Sequence, residues 1–80
     1  MIIEAKIFSS LRHYLPMSER LLGGEKWDIP EGSTVAQVLI LFNLPANEIR
    51  TILINGRKTD METVLKEGDI LAVFPMMMGG

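Results

Sequence analysis

Val35, Val38, Leu39 and Phe42 recur at the i, i+3, i+4, i+7 spacing of one buried helical stripe, the best helix in a chain of 80 residues. Thr34, followed three residues later by Gln37, fits a capping box that opens this helix, and Asn43 and Pro45 close it. One short helix cannot bury its stripe alone and needs a second layer to lie on. The flanking segments read as strands. Residues 2–8 alternate, with Ile3, Ala5 and Ile7 on one side and Glu4, Lys6 and Phe8 on the other. Residues 25–29 set Trp27 and Ile29 on one face, residues 51–54 are rich in β-branched side chains, and residues 70–74 form an apolar run that Pro75 ends. Asn55-Gly56 between extended segments is a hairpin signal, because a type I′ turn needs positive φ at both central positions. A short strand near residues 57–59 is therefore expected to pair back. Residues 11–15, stopped by Pro16, read as a helical turn or loop; Gly23-Gly24 is punctuation, and residues 46–50 are a looser stretch.

The order strand, strand, helix, strand, strand, strand predicts an α+β architecture of β-grasp type: a mixed sheet of about five strands with one main helix packed on one face. Residues 1–75 are expected to form the domain, and residues 76–80 a flexible tail ending in Gly-Gly. The first and last strands become central neighbours. Alternation then points Ile3, Ile7, Leu71 and Val73 toward the helix, and Phe8, Ile70, Ala72 and Phe74 toward the other side. Phe8 and Phe74 on an uncovered sheet face would make an apolar patch of the kind that marks a partner surface.

Composition excludes several functions. The N-terminus is interrupted by Glu4 and Lys6 before a signal-peptide core could form, and no apolar run approaches the roughly 18 residues of a membrane span. With no cysteine, a reducing cytoplasm is the expected setting. Charges of both signs are interspersed around a net charge of −2, without a basic block to neutralise phosphates, which argues against nucleic acid and membrane as partners. His13 is the sole histidine and reads as an exposed loop residue. Asp60, Glu62, Glu67 and Asp69 lack the ladder of a calcium loop, so no metal site is expected. A self-sufficient enzyme is not expected from this inventory.

The sequence finishes in Gly79-Gly80, a pair that chance would place there in about one protein in 200. Two residues without Cβ atoms make the thinnest extended chain, able to carry a carboxylate into a narrow active site. That carboxylate is a poor electrophile until an oxygen is turned into a leaving group. Adenylation of Gly80 with ATP would do this, after which a persulfide or an amine could attack the acyl carbon. A separate enzyme would supply ATP, magnesium and the nucleophile, so the chain would be substrate and carrier.

Several motifs in sequence order carry a resemblance: Phe8-Ser9-Ser10-Leu11-Arg12, Pro30-Glu31-Gly32-Ser33-Thr34-Val35, Ile54-Asn55-Gly56, Leu65-Lys66-Glu67-Gly68-Asp69, and Val73-Phe74-Pro75 before Gly79-Gly80. Over essentially its whole length the chain resembles the MoaD/ThiS family of ubiquitin-like sulfur carriers, and within it the small subunits of molybdopterin synthase. The resemblance implies a β-grasp fold whose Gly80, preceded by Gly79, is adenylated by an E1-like enzyme and converted to a thiocarboxylate, with a sulfurtransferase or cysteine desulfurase as sulfur source. It implies delivery of that sulfur to a large synthase subunit, where the dithiolene that binds molybdenum or tungsten forms. It places Phe8, Arg12, Phe74 and Pro75 at the partner surface, and Met76, Met77 and Met78 in a deformable apolar tail suited to a groove. Family tails often carry a second proline where this chain has Met76, and an apolar contact residue can stand at the position of Lys58. Three alternatives stay open: a sulfur carrier for thiamine or another thio-metabolite, a ubiquitin-like modifier joined to lysines through Gly80, and a β-grasp binding module.

Overall fold

The computed structural model describes residues 1–76. Its helix α1 (Val35–Leu41) forms where the stripe predicts it, and both ends are closed by local chemistry. Thr34 and Gln37 make the reciprocal capping box: the Gln37 N–H donates to Thr34 Oγ1 at 3.2 Å and the Thr34 N–H to Gln37 Oε1 at 2.9 Å. The next orphan donors go to a distant loop, with Val35 N–H on the Thr63 carbonyl and Ala36 N–H on that of Met61, each at 2.9 Å. At the other end Asn43 takes φ +63°, its N–H bonds the Ile40 carbonyl, and the Leu44 N–H reaches back to Leu39. This is a Schellman closure with asparagine in the left-handed position, and Leu44 is buried behind it.

Strands β1 (Ile2–Ile7) and β6 (Ile70–Pro75) run parallel at the centre of the sheet, with Ala5 opposite Leu71 and Ile7 opposite Val73. Antiparallel neighbours complete it: β3 (Lys26–Asp28) beside β1, β4 (Ile49–Ile54) beside β6, and β5 (Arg57–Lys58) beside β4. The hairpin between β4 and β5 turns on Asn55 and Gly56, at φ +54° and +85°, the type I′ requirement. Asn55 also fixes the start of β6, donating from Nδ2 to Asp69 Oδ1 at 3.0 Å and accepting the Ile70 N–H on Oδ1 at 2.9 Å.

A sixth strand, β2 (Leu21–Gly23), pairs with β3 at the sheet edge and brings the order to β2-β3-β1-β6-β4-β5. Its three residues are all exposed and its pairing is irregular, so it carries no alternation for a sequence reading to catch. Strand β4 begins at Ile49 rather than Thr51, and the expected turn after β1 is a 3-10 helix over Ser9–Tyr14. A second 3-10 helix, Ala46–Glu48, leads into β4.

The core lies between the sheet and α1. Ile3, Ala5, Ile7, Leu71 and Val73 face Val35, Val38, Leu39 and Phe42, and Leu11 and Leu65 anchor two connections into the same cluster. Trp27 and Phe42, both buried, meet at 4.4 Å between ring centroids. Burial of each such side chain contributes about 1.5–3 kcal/mol. No helix among the described residues is long and apolar enough to cross a membrane.

Candidate docking surface

Because the helix covers one face, strand alternation leaves the other bare among the described residues. The register of β1 on β6 continues past Ile7 and Val73, where the Phe8 N–H donates to the Val73 carbonyl at 3.2 Å, and brings Phe8 beside Phe74 on the bare face. Their rings lie within 5° of parallel with centroids 4.5 Å apart. That separation exceeds the roughly 3.5–4 Å of direct carbon contact, so the rings are offset, the favourable parallel arrangement. Phe8 remains 38% exposed in spite of the stack. Thr51, Leu53, Ala72 and Ile70 share this face, and Lys58 stands opposite Leu53 on its border.

An open groove of about 490 Å³ runs along the aromatic pair, lined by Phe8, Ser9, Arg50, Thr51, Phe74 and Pro75. Arg50 reaches it through an irregularity in the sheet. Ile49 pairs with Pro75 and Thr51 with Phe74, so Arg50 is the extra residue of a β-bulge. Simple alternation from Thr51 would aim Arg50 at the helix side, and bulges re-aim the side chain they carry. Among the described residues the Arg50 guanidinium makes neither an ion pair nor a hydrogen bond. Lys6, on the same face, is by contrast neutralised: its Nζ lies 3.2 Å from both Glu25 Oε1 and Glu4 Oε2. The Glu25 hydrogen bond first, and that to Glu4 second, hold the Lys6 ammonium above its ordinary pKa.

The structure brings together Phe8, Phe74 and Pro75 among the residues singled out in the sequence, and places Arg12 elsewhere. Arg12 is exposed on the Ser9–Tyr14 turn and lines a smaller cleft of about 140 Å³ with Ala5, Ile7, Leu15 and Trp27, on the helix side of β1. The basic residue beside the aromatic pair is Arg50, which the sequence offered only as part of a loose stretch. Met76 is exposed, and its N–H donates to the Glu48 carbonyl at 2.9 Å. Met77, Met78, Gly79 and Gly80 lie outside the described residues. No three metal-ligating side chains gather among the described residues.

A mixed sheet with parallel central strands, one helix across it and an apolar bare face defines a ubiquitin-like protein of the β-grasp class. The sequence matches the Mut7-C ubiquitin family over residues 1–79, and the chain belongs to that family, which is related to the MoaD/ThiS carriers. Solved structures of similar fold come from Haloferax volcanii. The crystal structure of SAMP1 matches with a TM-score of 0.66 at 21% identity, covering 100% of both chains. A second crystal structure, of small archaeal modifier protein 1, gives 0.67 at 20% identity over 95% of this chain and 98% of that one. The solution structure of the HVO 2177 protein gives 0.68 at 25% identity, covering 100% of this chain and 87% of the other. No curated protein matches the sequence.

Proposed function

We propose that this chain is a sulfur carrier whose Gly80 is activated by an E1-like enzyme, and that it docks on that enzyme and on a sulfur-accepting synthase through the bare sheet face. The observation that carries the reading is the Phe8–Phe74 stack on an uncovered face, at the end of the strand that leads toward Gly79-Gly80. Exposed aromatic area of this kind, with a cation beside it, is the composition of a binding hot spot. The chemistry belongs to the tail. A carboxylate oxygen of Gly80 attacks the α-phosphorus of ATP, with magnesium held by the activating enzyme, and pyrophosphate leaves. A persulfide sulfur then displaces AMP, and a thiol cleaves the resulting acyl disulfide to leave the thiocarboxylate. The most specific destination consistent with the motif order is the dithiolene of molybdopterin, formed in the large synthase subunit.

A second reading draws on the similarity to the Haloferax volcanii small archaeal modifier protein 1. There the Gly80 adenylate would be attacked by a lysine amine of another protein, giving an isopeptide in place of a thiocarboxylate.

Intact mass of the protein from its native host, with fragmentation of the C-terminal peptide, decides between them. Replacement of one terminal oxygen by sulfur supports the carrier; Gly80 recovered as a branch on lysine peptides supports the modifier. A plain carboxylate that also persists after incubation with the host's activating enzyme, ATP and a sulfur donor rejects the carrier, and the absence of Gly80-branched lysine peptides as well rejects the modifier. Gly80→Ala should leave the thermal midpoint unchanged and slow activation, because it adds a Cβ where the channel admits only backbone.

A further inference from the structure

Glu48 touches three separate parts of the chain. By sequence it closes the Ala46–Glu48 turn and enters β4. Its main-chain carbonyl accepts the Met76 N–H at 2.9 Å, the last hydrogen bond of the C-terminal segment among the described residues. Its carboxylate accepts the Tyr14 hydroxyl, with Oε1 at 3.0 Å and Oε2 at 2.9 Å, so one phenolic proton is shared by both oxygens. Tyr14 itself ends the 3-10 helix that begins just after Phe8. A depression of about 380 Å³, lined by Ser10, Asn47, Glu48, Pro75 and Met76, opens beside this junction, and Pro75 separates it from the groove along the aromatic pair.

This arrangement has no evident role in the core: Tyr14 and Glu48 are exposed, and a neutral surface pair would serve folding as well. What it does is fix a carbonyl. The peptide group facing Met76 has its own N–H, that of Ile49, on the Ala46 carbonyl, and the Glu48 side chain beside it is on Tyr14, so this group is held from both sides. A charge-assisted bond from a phenol is stronger than a neutral one and suits that purpose.

We propose that Tyr14 and Glu48 are positioning residues: together they clamp Met76 and so set the point and direction from which the C-terminal segment departs toward the activating enzyme. The clamp rests on the carrier or modifier reading for its purpose, and on the three hydrogen bonds for its existence. Tyr14→Phe and Glu48→Ala remove the phenol–carboxylate bond; Glu48→Gln keeps an oxygen acceptor for the phenol and serves as the conservative rescue.

Amide solvent exchange measured by NMR on the full chain tests the clamp without any partner. Exchange at Met76 should rise about three- to tenfold in Tyr14→Phe and Glu48→Ala, the size expected for weakening one hydrogen bond, and stay near the parent value in Glu48→Gln. Amides of Leu71 and Val73 should not change. Unchanged exchange at Met76, or an equal rise across all of β6, overturns the proposal. With the host's E1-like enzyme, the same two variants should raise KM for the carrier about three- to tenfold at constant kcat, with Glu48→Gln again close to parent. Exchange that rises while KM does not also overturns it, since the clamp would then position nothing. If the parent chain is not adenylated at all, the functional reading fails, and the exchange experiment alone upholds or overturns the clamp.

Discussion

Phe74 stacks on Phe8 across the parallel pair β1 and β6, with 4.5 Å between centroids, on the face that α1 does not cover. The contact joins the end of the first strand to the end of the last. Its position makes it a surface feature built from core-forming residue types, and the energetics of the two roles can be separated by mutation.

Phe74→Ala should cost about 1 kcal/mol of folding stability, the stacking contribution plus a small loss of partial burial. Phe42→Ala, which empties a fully buried site against Trp27, should cost about 3–5 kcal/mol. Partner affinity should follow the opposite order, falling tenfold or more for Phe74→Ala, the loss expected of a hot-spot residue. Denaturant unfolding and calorimetric titration with the activating enzyme measure the two quantities. A large stability loss at Phe74 with intact binding would return it to the core.

Arg50→Glu should leave stability within about 0.5 kcal/mol, because the side chain is exposed and unpaired among the described residues. Association with a partner should slow and lose salt dependence, since a rim charge acts mainly on the encounter rate. The same reversal at Arg12, on the far side of β1, should do less. Stopped-flow association at two ionic strengths tests the ranking, and an equal or larger effect at Arg12 would reject Arg50 as the rim cation.

The Tyr14 phenol is held above its ordinary pKa of 10.0, first by the hydrogen bond its hydroxyl gives to Glu48, then by partial desolvation and the nearby carboxylate charge. A raised value means that the folded state favours the protonated phenol. The stabilisation is therefore fully present below the unfolded pKa and is lost as pH rises through the higher folded value. Because the chain has one tyrosine, phenolate absorbance reports this group alone. Glu48→Ala should move the titration down toward 10.0; an unmoved curve would show that the carboxylate is not the cause.

Asn55→Ala should destabilise the fold by about 2 kcal/mol. It places a Cβ-bearing residue without a polar side chain at φ +54°, and it removes the bonds to Asp69 and to the Ile70 N–H. Asn55→Gly relieves the backbone and loses only the side-chain bonds, so it should cost less. Equal losses in the two variants would mean that the turn conformation itself contributes nothing.

The helix, its capping box, the Asn55-Gly56 turn and the inward set Ile3, Ile7, Leu71 and Val73 were all legible in the sequence. Each depends on spacings of a few residues, where local geometry decides which side chains share a face. The outward placement of Phe8 and Phe74 follows from the same alternation. Strand β2 was not legible, because it is three exposed residues whose pairing is imposed by β3.

What the sequence could not contain is everything set by long-range register. Whether Phe8 meets Phe74 ring to ring depends on β1 and β6 pairing in parallel with Ile7 opposite Val73, a relation between distant segments. A single extra residue in β4 turns Arg50 into the groove, while Arg12, on the turn after β1, lines a cleft with the helix-side residues of that strand. Tyr14, Glu48 and Met76 come from three segments with no shared motif, and they meet because two short 3-10 helices are brought to the end of β6. The sequence by itself determined the elements and their faces, since these follow from periodicity along the chain. The tertiary structure decided which of those outward side chains touch and that Arg50 joins them, since that is a property of how the strands are aligned across the sheet.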